Sequence, residues 1–259
     1  MTDILSTRNQ VVLARFALSN LLVAFDYDGT LAPIVSVPDR AHMRASTRRL
    51  LHSVATRYPC IVISGRSRAD VTRRLRDIPV VHVSGNHGLE PWAEEPRYAK
   101  KVRVWMGHLD RHLAGVDGVV IEDKIYSISI HYRAAQDKRM AHRAIEEAVS
   151  GLRDIRRIGG KQVVNLVPLR APGKGDALER ARRLLVCDTA LYVGDDDTDE
   201  DAFASGTARR LLSVRVGTAE HSRARFRLKD QSHIDHLLRS LLELRPAVPE
   251  KGLEKQEAS

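Results

Sequence analysis

An α/β fold is predicted for this chain: a Rossmann-like parallel sheet with helices on both faces, interrupted by an inserted α+β cap with a small antiparallel sheet. Three observations carry that expectation. Short apolar runs alternate with helical segments through residues 20–83 and again through 174–216, the pattern of a parallel sheet covered on both sides. Several of those runs end in polar or acidic residues, as strands do when their carboxyl ends open onto a ligand site. Between about 91 and 169 the rhythm changes to helix, hairpin, helix, hairpin.

Taken in order, residues 4–19 carry helical spacing at Leu13, Phe16 and Ala17 and predict an opening helix. A strand follows at 21–25 (Leu-Leu-Val-Ala-Phe), then a loop with Pro33 and Pro38. A helix is predicted over 39–56, with Met43, Leu50, Leu51 and Val54 on one side. A strand at 60–63, a helix at 67–76 and a strand at 80–83 continue the alternation. In the insert, helices at 98–114 and 134–150 each precede two strand-like runs. The runs are 119–121 and 126–132, split by Glu122-Asp123-Lys124, and 155–158 and 162–167, split by Gly159-Gly160. A helix at 174–186, a strand at 190–194, a short helix at 200–204 and a strand at 211–216 complete the core. The expected division is a core of 1–90 and 170–246, a cap of 91–169 hinged near Pro91 and Pro168 or Pro172, and a disordered, charged tail of 247–259.

Two acidic clusters conflict with simple packing. Strand 21–25 delivers Asp26-Tyr27-Asp28-Gly29-Thr30, and strand 190–194 delivers Asp195-Asp196-Asp197-Thr198-Asp199-Glu200-Asp201. Two-residue spacing puts Asp26 and Asp28 on one side of an extended chain, and Gly29 permits a sharp departure. Carboxylates about 4 Å apart at an effective dielectric near 20 repel by roughly 4 kcal/mol per pair. Protonation or a cation relieves that, and oxygen donors without Cys or His nearby favour a hard ion such as Mg²⁺, which is commonly held by one or two carboxylates plus a substrate phosphate. Calcium binding of the EF-hand kind is disfavoured, because 195–201 lacks its central glycine and terminal Glu.

Two further pieces fit phosphate chemistry. Strand 60–63 ends in Ser64-Gly65-Arg66, a hydroxyl and a guanidinium able to hold phosphate oxygens. Ala171-Pro172-Gly173-Lys174-Gly175-Asp176 opens a helix, placing Lys174 near a positive helix terminus. The spacing is not that of a P-loop.

The order Asp-x-Asp-Gly-Thr, Ser-Gly-Arg, Lys, Gly-Asp-Asp-x-Thr-Asp-Glu-Asp resembles the haloacid dehalogenase superfamily of phosphatases. The longer stretch 194–203, with Ser84-Gly85-Asn86-His87-Gly88-Leu89-Glu90 and Ser129-Ile130-His131-Tyr132-Arg133, resembles the trehalose-6-phosphate phosphatase family. The resemblance covers roughly residues 20–240. It implies Asp26 as the nucleophile that forms an aspartyl-phosphate and Asp28 as acid, then base. It implies Ser64 and Lys174 as phosphoryl-binding groups and Asp199 as the residue that orients Lys174 or a metal-bound water. Mg²⁺ would be held by the Asp26 carboxylate, the Asp28 backbone carbonyl and Asp195. Ser64, Gly65, Arg66, Asn86, His87, His131, Arg133 and Asn165 are the implied substrate contacts. One departure stands out: in strand 162–167, Asn165 and Val167 occupy positions where the family commonly shows a Glu and a basic residue. An amide keeps hydrogen bonding and removes a charge.

The expectation is a Mg²⁺-dependent phosphatase of trehalose 6-phosphate. A phosphatase of another sugar phosphate, such as a glycosyl-phosphoglycerate, is the alternative. A phosphomutase, or an inactive module binding a sugar phosphate or a partner synthase, follows further behind. The chain of 259 residues is 43% hydrophobic, enough for a sizeable core. A net charge of +9 invites a nucleic-acid reading, but the basic residues are spread along helix faces and aromatics are only 5%. A solvated basic surface that attracts an anionic small molecule is preferred. Nothing reads as a membrane span or a signal peptide, so a cytoplasmic monomer binding neither nucleic acid nor membrane is expected. Cys60 and Cys187 lie in or beside apolar segments and read as reduced.

Overall fold

The computed structural model describes residues 1–35, 37–92, 96–160 and 162–246; the segment 247–259, expected to be disordered, lies outside the described residues. In chain order the elements begin with β1 (Thr2–Asp3), α1 (Gln10–Ala17), β2 (Leu21–Phe25), α2 (Ala45–Ala55), β3 (Cys60–Ile63), α3 (Arg68–Arg74) and β4 (His82–Ser84). The insert contributes α4 (Pro96–Leu113), β5 (Val120–Asp123), β6 (Ile128–His131), α5 (Lys138–Ser150), β7 (Ile155–Gly160) and β8 (Val163–Pro168). The chain then returns through α6 (Lys174–Leu184), β9 (Thr189–Gly194), α7 (Glu200–Phe203), β10 (Leu211–Val216), β11 (Phe226–Leu228) and α8 (Ile234–Leu244).

Seven strands form a parallel sheet in the order β1-β11-β10-β9-β2-β3-β4. Because β2 is buried along its whole length, it reads as an unbroken apolar run, as parallel strands do. Its side chains alternate between two cores. Leu21, Val23 and Phe25 join Leu13 and Phe16 of α1, Leu51 and Val54 of α2 and Leu237, Leu238 and Leu241 of α8. Leu22 and Ala24 join Ala177, Leu178 and Ala181 of α6 and Phe203 of α7 on the opposite face. The chain leaves β2 toward β3 and β4 on one side and returns on the other through β9, β10 and β11. The carboxyl ends of β2 and β9 are therefore the switch point where ligands collect in such sheets.

The insert is a four-stranded antiparallel sheet, β5-β6-β8-β7. One face packs Ile128, Ile130, Val164 and Leu166 against Val102, Trp105 and Leu109 of α4 and Ile145 and Val149 of α5. The alternate residues, Ser129, His131, Val163 and Asn165, lie on the other face by the strand period of two.

Several boundaries differ from expectation for local reasons. The opening helix begins as a 3₁₀ turn, Thr7–Asn9, before α1. The helix expected from 39 starts at Ala45, because Pro38–Arg40 forms a separate 3₁₀ turn. Asp137 caps α5 by accepting from the backbone N–H of Arg139 and Met140, which moves that start from 134 to 138. Glu122 and Asp123, read as a split between strands, belong to β5; the turn follows at Lys124 and Ile125, with Ile125 at φ 70°. Likewise β7 runs through Gly159 and Gly160. Three elements were not anticipated: β1, β11 and α8. Strands of two and three residues carry too little pattern to read, whereas Ile234, Leu237, Leu238 and Leu241 have the i, i+3, i+4, i+7 spacing that marks a helix.

Among the described residues, no helix is long and apolar enough to cross a membrane. Leu238 is fully buried between α8 and the sheet. We expect Leu238→Ala to cost roughly 2–5 kcal/mol in urea unfolding. A cost below about 1 kcal/mol would show that α8 is not integral to the core.

Candidate active site

The strand order brings the separated motifs to one rim. β2 pairs with β9 on one side and β3 on the other, so Asp26 stands between Asp195 and Ser64. Lys174 opens α6 beneath them. Its Nζ lies 2.7 Å from Asp199 Oδ1 and 3.1 Å from Asp26 Oδ1. Asp199 is fully buried, and both its oxygens are engaged. Oδ1 also accepts from the Tyr192 hydroxyl at 2.7 Å, and Oδ2 accepts from the backbone N–H of Asp195 at 2.8 Å and of Asp196 at 2.9 Å. These bonds fix the turn that presents Asp195. Its carboxylate lies against Gly29, where φ is +80° and an added Cβ would come within 2.1 Å of Asp195 Oδ2. Only a glycine makes that approach without strain. Thr30 Oγ1 donates to Asp195 Oδ1 at 3.3 Å.

Asp26, Asp195 and Asp199 each bring a carboxylate oxygen within 4.8 Å of the others. Burial pushes the Asp26 carboxyl well above the usual carboxylate range; Lys174 pulls it down, and Asp199, Asp195 and Asp28 push it up again. One ammonium does not bring Asp26 back, so the cluster is short of positive charge. The donors are all oxygen. That combination fits a hard divalent cation held by Asp26 and Asp195. Asp199 has its acceptor positions filled and serves the arrangement from behind. Burial opposes a charge on Lys174, yet Asp199 and Asp26 outweigh it and hold the ammonium above its ordinary range.

The cluster opens into a cleft of about 750 Å³ between the large sheet and the insert. Asp26, Asp28, Ser64, Gly65, Arg66, His87, His131, Arg133, Lys174 and Asp195 all border it. Arg66 grips Asp28 with two bonds, Nε to Oδ2 at 2.6 Å and Nη2 to Oδ1 at 2.7 Å. Arg133 reaches from the insert and donates to the backbone carbonyl of Val35 at 2.8 Å, so it also ties the insert to the large domain. His131 Nε2 lies 2.9 Å from Glu122 Oε2.

Two expected substrate contacts, Asn86 and Asn165, are not among the residues that border the cleft. Asn86 is fully buried; it donates to the Lys124 carbonyl at 3.1 Å and accepts from Ser127 Oγ at 2.8 Å, joining the β5–β6 turn to the large domain. Asn165 accepts from Ser129 Oγ at 2.5 Å across the pair β6–β8 and is buried. Conversely, Glu122 and Lys124 border the cleft and were not singled out in the sequence. Lys124 Nζ donates to the Gly65 carbonyl at 3.1 Å. Their signal was a pair of opposite charges, two residues apart, at the end of an apolar run.

The trehalose-phosphatase family model matches residues 24–232. The chain belongs to that family. A trehalose-phosphate phosphatase of Mycobacterium avium is 37% identical over 196 residues, covering 70% of this chain and 50% of that protein. A probable trehalose-phosphate phosphatase of rice is 26% identical over 259 residues, covering 87% of this chain and 70% of its own length. The chain thus spans about half the length of the mycobacterial relatives it matches. In fold it is similar to the C-terminal domain of Candida albicans trehalose-6-phosphate phosphatase, with a TM-score of 0.73 at 23% identity, covering 96% of this chain and 100% of that one. The sucrose-phosphatase of Synechocystis shares the fold at a TM-score of 0.56 and 17% identity, covering 88% of this chain and 98% of that one.

His87 packs so tightly under Gly65 that a Cβ there would come within 2.6 Å of its ring, and neither ring nitrogen has a hydrogen-bond partner among the described residues. Burial, then Lys124, Lys174 and Arg156, hold its pKa well below the ordinary 6.5. The unfolded chain therefore takes up a proton near pH 6.5 that the folded chain refuses. Stability is lost as pH falls below that value, with a slope approaching 1.4 kcal/mol per pH unit for this group. His87→Gln is expected to flatten the stability–pH curve between pH 6.5 and 5 in urea titrations. An unchanged slope would mean the imidazole is protonated in the fold.

Proposed function

We propose that this chain is a Mg²⁺-dependent phosphatase that hydrolyses trehalose 6-phosphate to trehalose and inorganic phosphate. The observation that carries the reading is the meeting of Asp26, Lys174, Asp195 and Ser64 at one sheet rim, inside a cleft roofed by the insert. Family membership supports the chemistry and the substrate together.

In this reading an Asp26 carboxylate oxygen attacks phosphorus while the bond to the sugar oxygen breaks. The departing oxygen takes a proton from Asp28. Water then attacks the aspartyl-phosphate, Asp28 accepts its proton, and Asp26 and inorganic phosphate are regenerated. Mg²⁺, held by Asp26, Asp195 and the Asp28 backbone carbonyl, would supply charge neutralisation. Lys174 and Ser64 hold the phosphoryl oxygens, since phosphoryl transfer asks mainly for positioning and charge stabilisation. Arg66 keeps Asp28 oriented. The insert excludes water and offers Glu122, Lys124 and His131 to sugar hydroxyls. Asn165 is paired with Ser129, and a neutral amide in that place keeps a second reading in view, the same chemistry on a different sugar phosphate.

Phosphate release should be measured on a panel of sugar phosphates with and without Mg²⁺. Trehalose 6-phosphate is expected to be preferred, chelation to abolish turnover, and Asp26→Asn to lower kcat by roughly a thousandfold or more. Mg²⁺-dependent release from another sugar phosphate alone would replace the substrate. Retained turnover in Asp26→Asn would reject the mechanism.

A further inference from the structure

The orientation of Asp28 depends on Arg66, and Arg66 is itself held. Two of its nitrogens bind the Asp28 carboxylate, and the third, Nη1, donates to Asp70 Oδ2 at 2.9 Å. Asp70 stands in the first turn of α3, where its backbone N–H donates to the capping Ser67 Oγ at 3.3 Å. Arg74 Nε donates to the same Oδ2 at 2.9 Å, and Arg73 Nη2 to Oδ1 at 2.6 Å. The Arg66 and Arg74 guanidinium carbons lie 5.8 and 5.9 Å from the centre of the Tyr27 ring, and Tyr27 separates Asp26 from Asp28 in the chain. The Tyr27 hydroxyl and Arg74 Nη1 both donate to the carbonyl of Ala41, at 3.2 and 2.9 Å. The network thus closes back on the loop that carries both catalytic carboxylates.

A guanidinium is planar, and a two-pronged bond to a carboxylate makes the two groups share a plane. The flexible arginine stem does not fix that plane by itself; a third bond to an anchored carboxylate does. The side chains of Arg66 and Asp70 are 13% and 17% exposed, so water competes weakly for these bonds. Each Asp28 oxygen gives one acceptor position to Arg66 and keeps another. Asp28 borders the cleft, so the grip orients it without closing it off.

We propose that Asp70 is a positioning residue for the reaction: it fixes the plane of the Arg66 guanidinium and thereby the rotamer in which Asp28 meets the departing sugar oxygen. This rests on the reading of Asp28 as the group that protonates the leaving oxygen. An alkyl oxygen needs that proton, whereas p-nitrophenolate leaves as a stable anion. Because kcat/KM reports only the steps through departure of the first product, comparing two esters isolates the protonation.

The test compares the Mg²⁺-loaded full chain with Asp70→Asn, measuring kcat/KM on p-nitrophenyl phosphate and on the sugar phosphate that the wild type turns over best. We expect a loss of about tenfold on the sugar ester and less than about twofold on the aryl ester. Asp70→Glu keeps the charge that Arg73 and Arg74 need for folding but displaces Arg66; it should show a smaller selective loss of the same kind. A purely structural salt cluster would lower both esters alike, and equal losses, or none, would overturn the proposal. A wild-type chain that hydrolyses neither ester would overturn the phosphatase reading itself.

Discussion

One buried ammonium held between two buried carboxylates is the interaction on which the rest of this site depends. Lys174 touches Asp26 and Asp199, and all three side chains are withdrawn from water. Removing one member of such a group leaves an uncompensated buried charge, at a cost of about 3–5 kcal/mol. The arrangement is unequal. Asp199 is saturated by Lys174, Tyr192 and two backbone N–H groups, so it serves as an anchor. Asp26 shares the same ammonium, and its carboxyl stays pushed upward by burial and by its acidic neighbours. The site is therefore built to accept one more positive charge, beside the carboxylate that faces the cleft.

The fold makes that arrangement possible by topology. Residues 26, 64, 174 and 195 are far apart in the chain, yet the order β9-β2-β3 sets three of them side by side. The fourth comes from the N-terminus of α6, packed on the same sheet. The insert leaves the large domain after β4 and returns just before α6. Polar contacts then join its helix-free face to the rim. Arg133 binds the Val35 carbonyl, Lys124 the Gly65 carbonyl, and Arg156 the Ala171 carbonyl at 3.0 Å. Each uses a cationic side chain from the insert and a backbone carbonyl in or beside the large domain.

Much of this was legible in the sequence because the central strands are buried on both faces. Their apolar runs stand out, and Asp26, Asp28 and Asp195 at the ends conflict with packing. Other features depend on pairing that no local pattern encodes. Asn165 was expected as a ligand contact, and its Oδ1 is paired with Ser129 on a neighbouring strand. Asn86 binds a turn that folds back from the insert. Glu122 and Asp123 resembled a break because charges on a partly exposed strand mimic a turn. Asp70 was not singled out in the sequence; its bond to Arg66 is local in sequence, but the consequence appears only when Arg66 is seen gripping Asp28.

The central claim is that the carboxylate cluster is completed by a divalent cation shared between Asp26 and Asp195. Anomalous diffraction from crystals grown with Mn²⁺, a substitute for Mg²⁺ on oxygen ligands, tests it most directly. The account predicts a single strong peak within about 2.2 Å of a carboxylate oxygen from each of these two residues, with the Lys174–Asp199 pair intact beside it. A peak elsewhere in the cleft, or none at saturating metal, would contradict it.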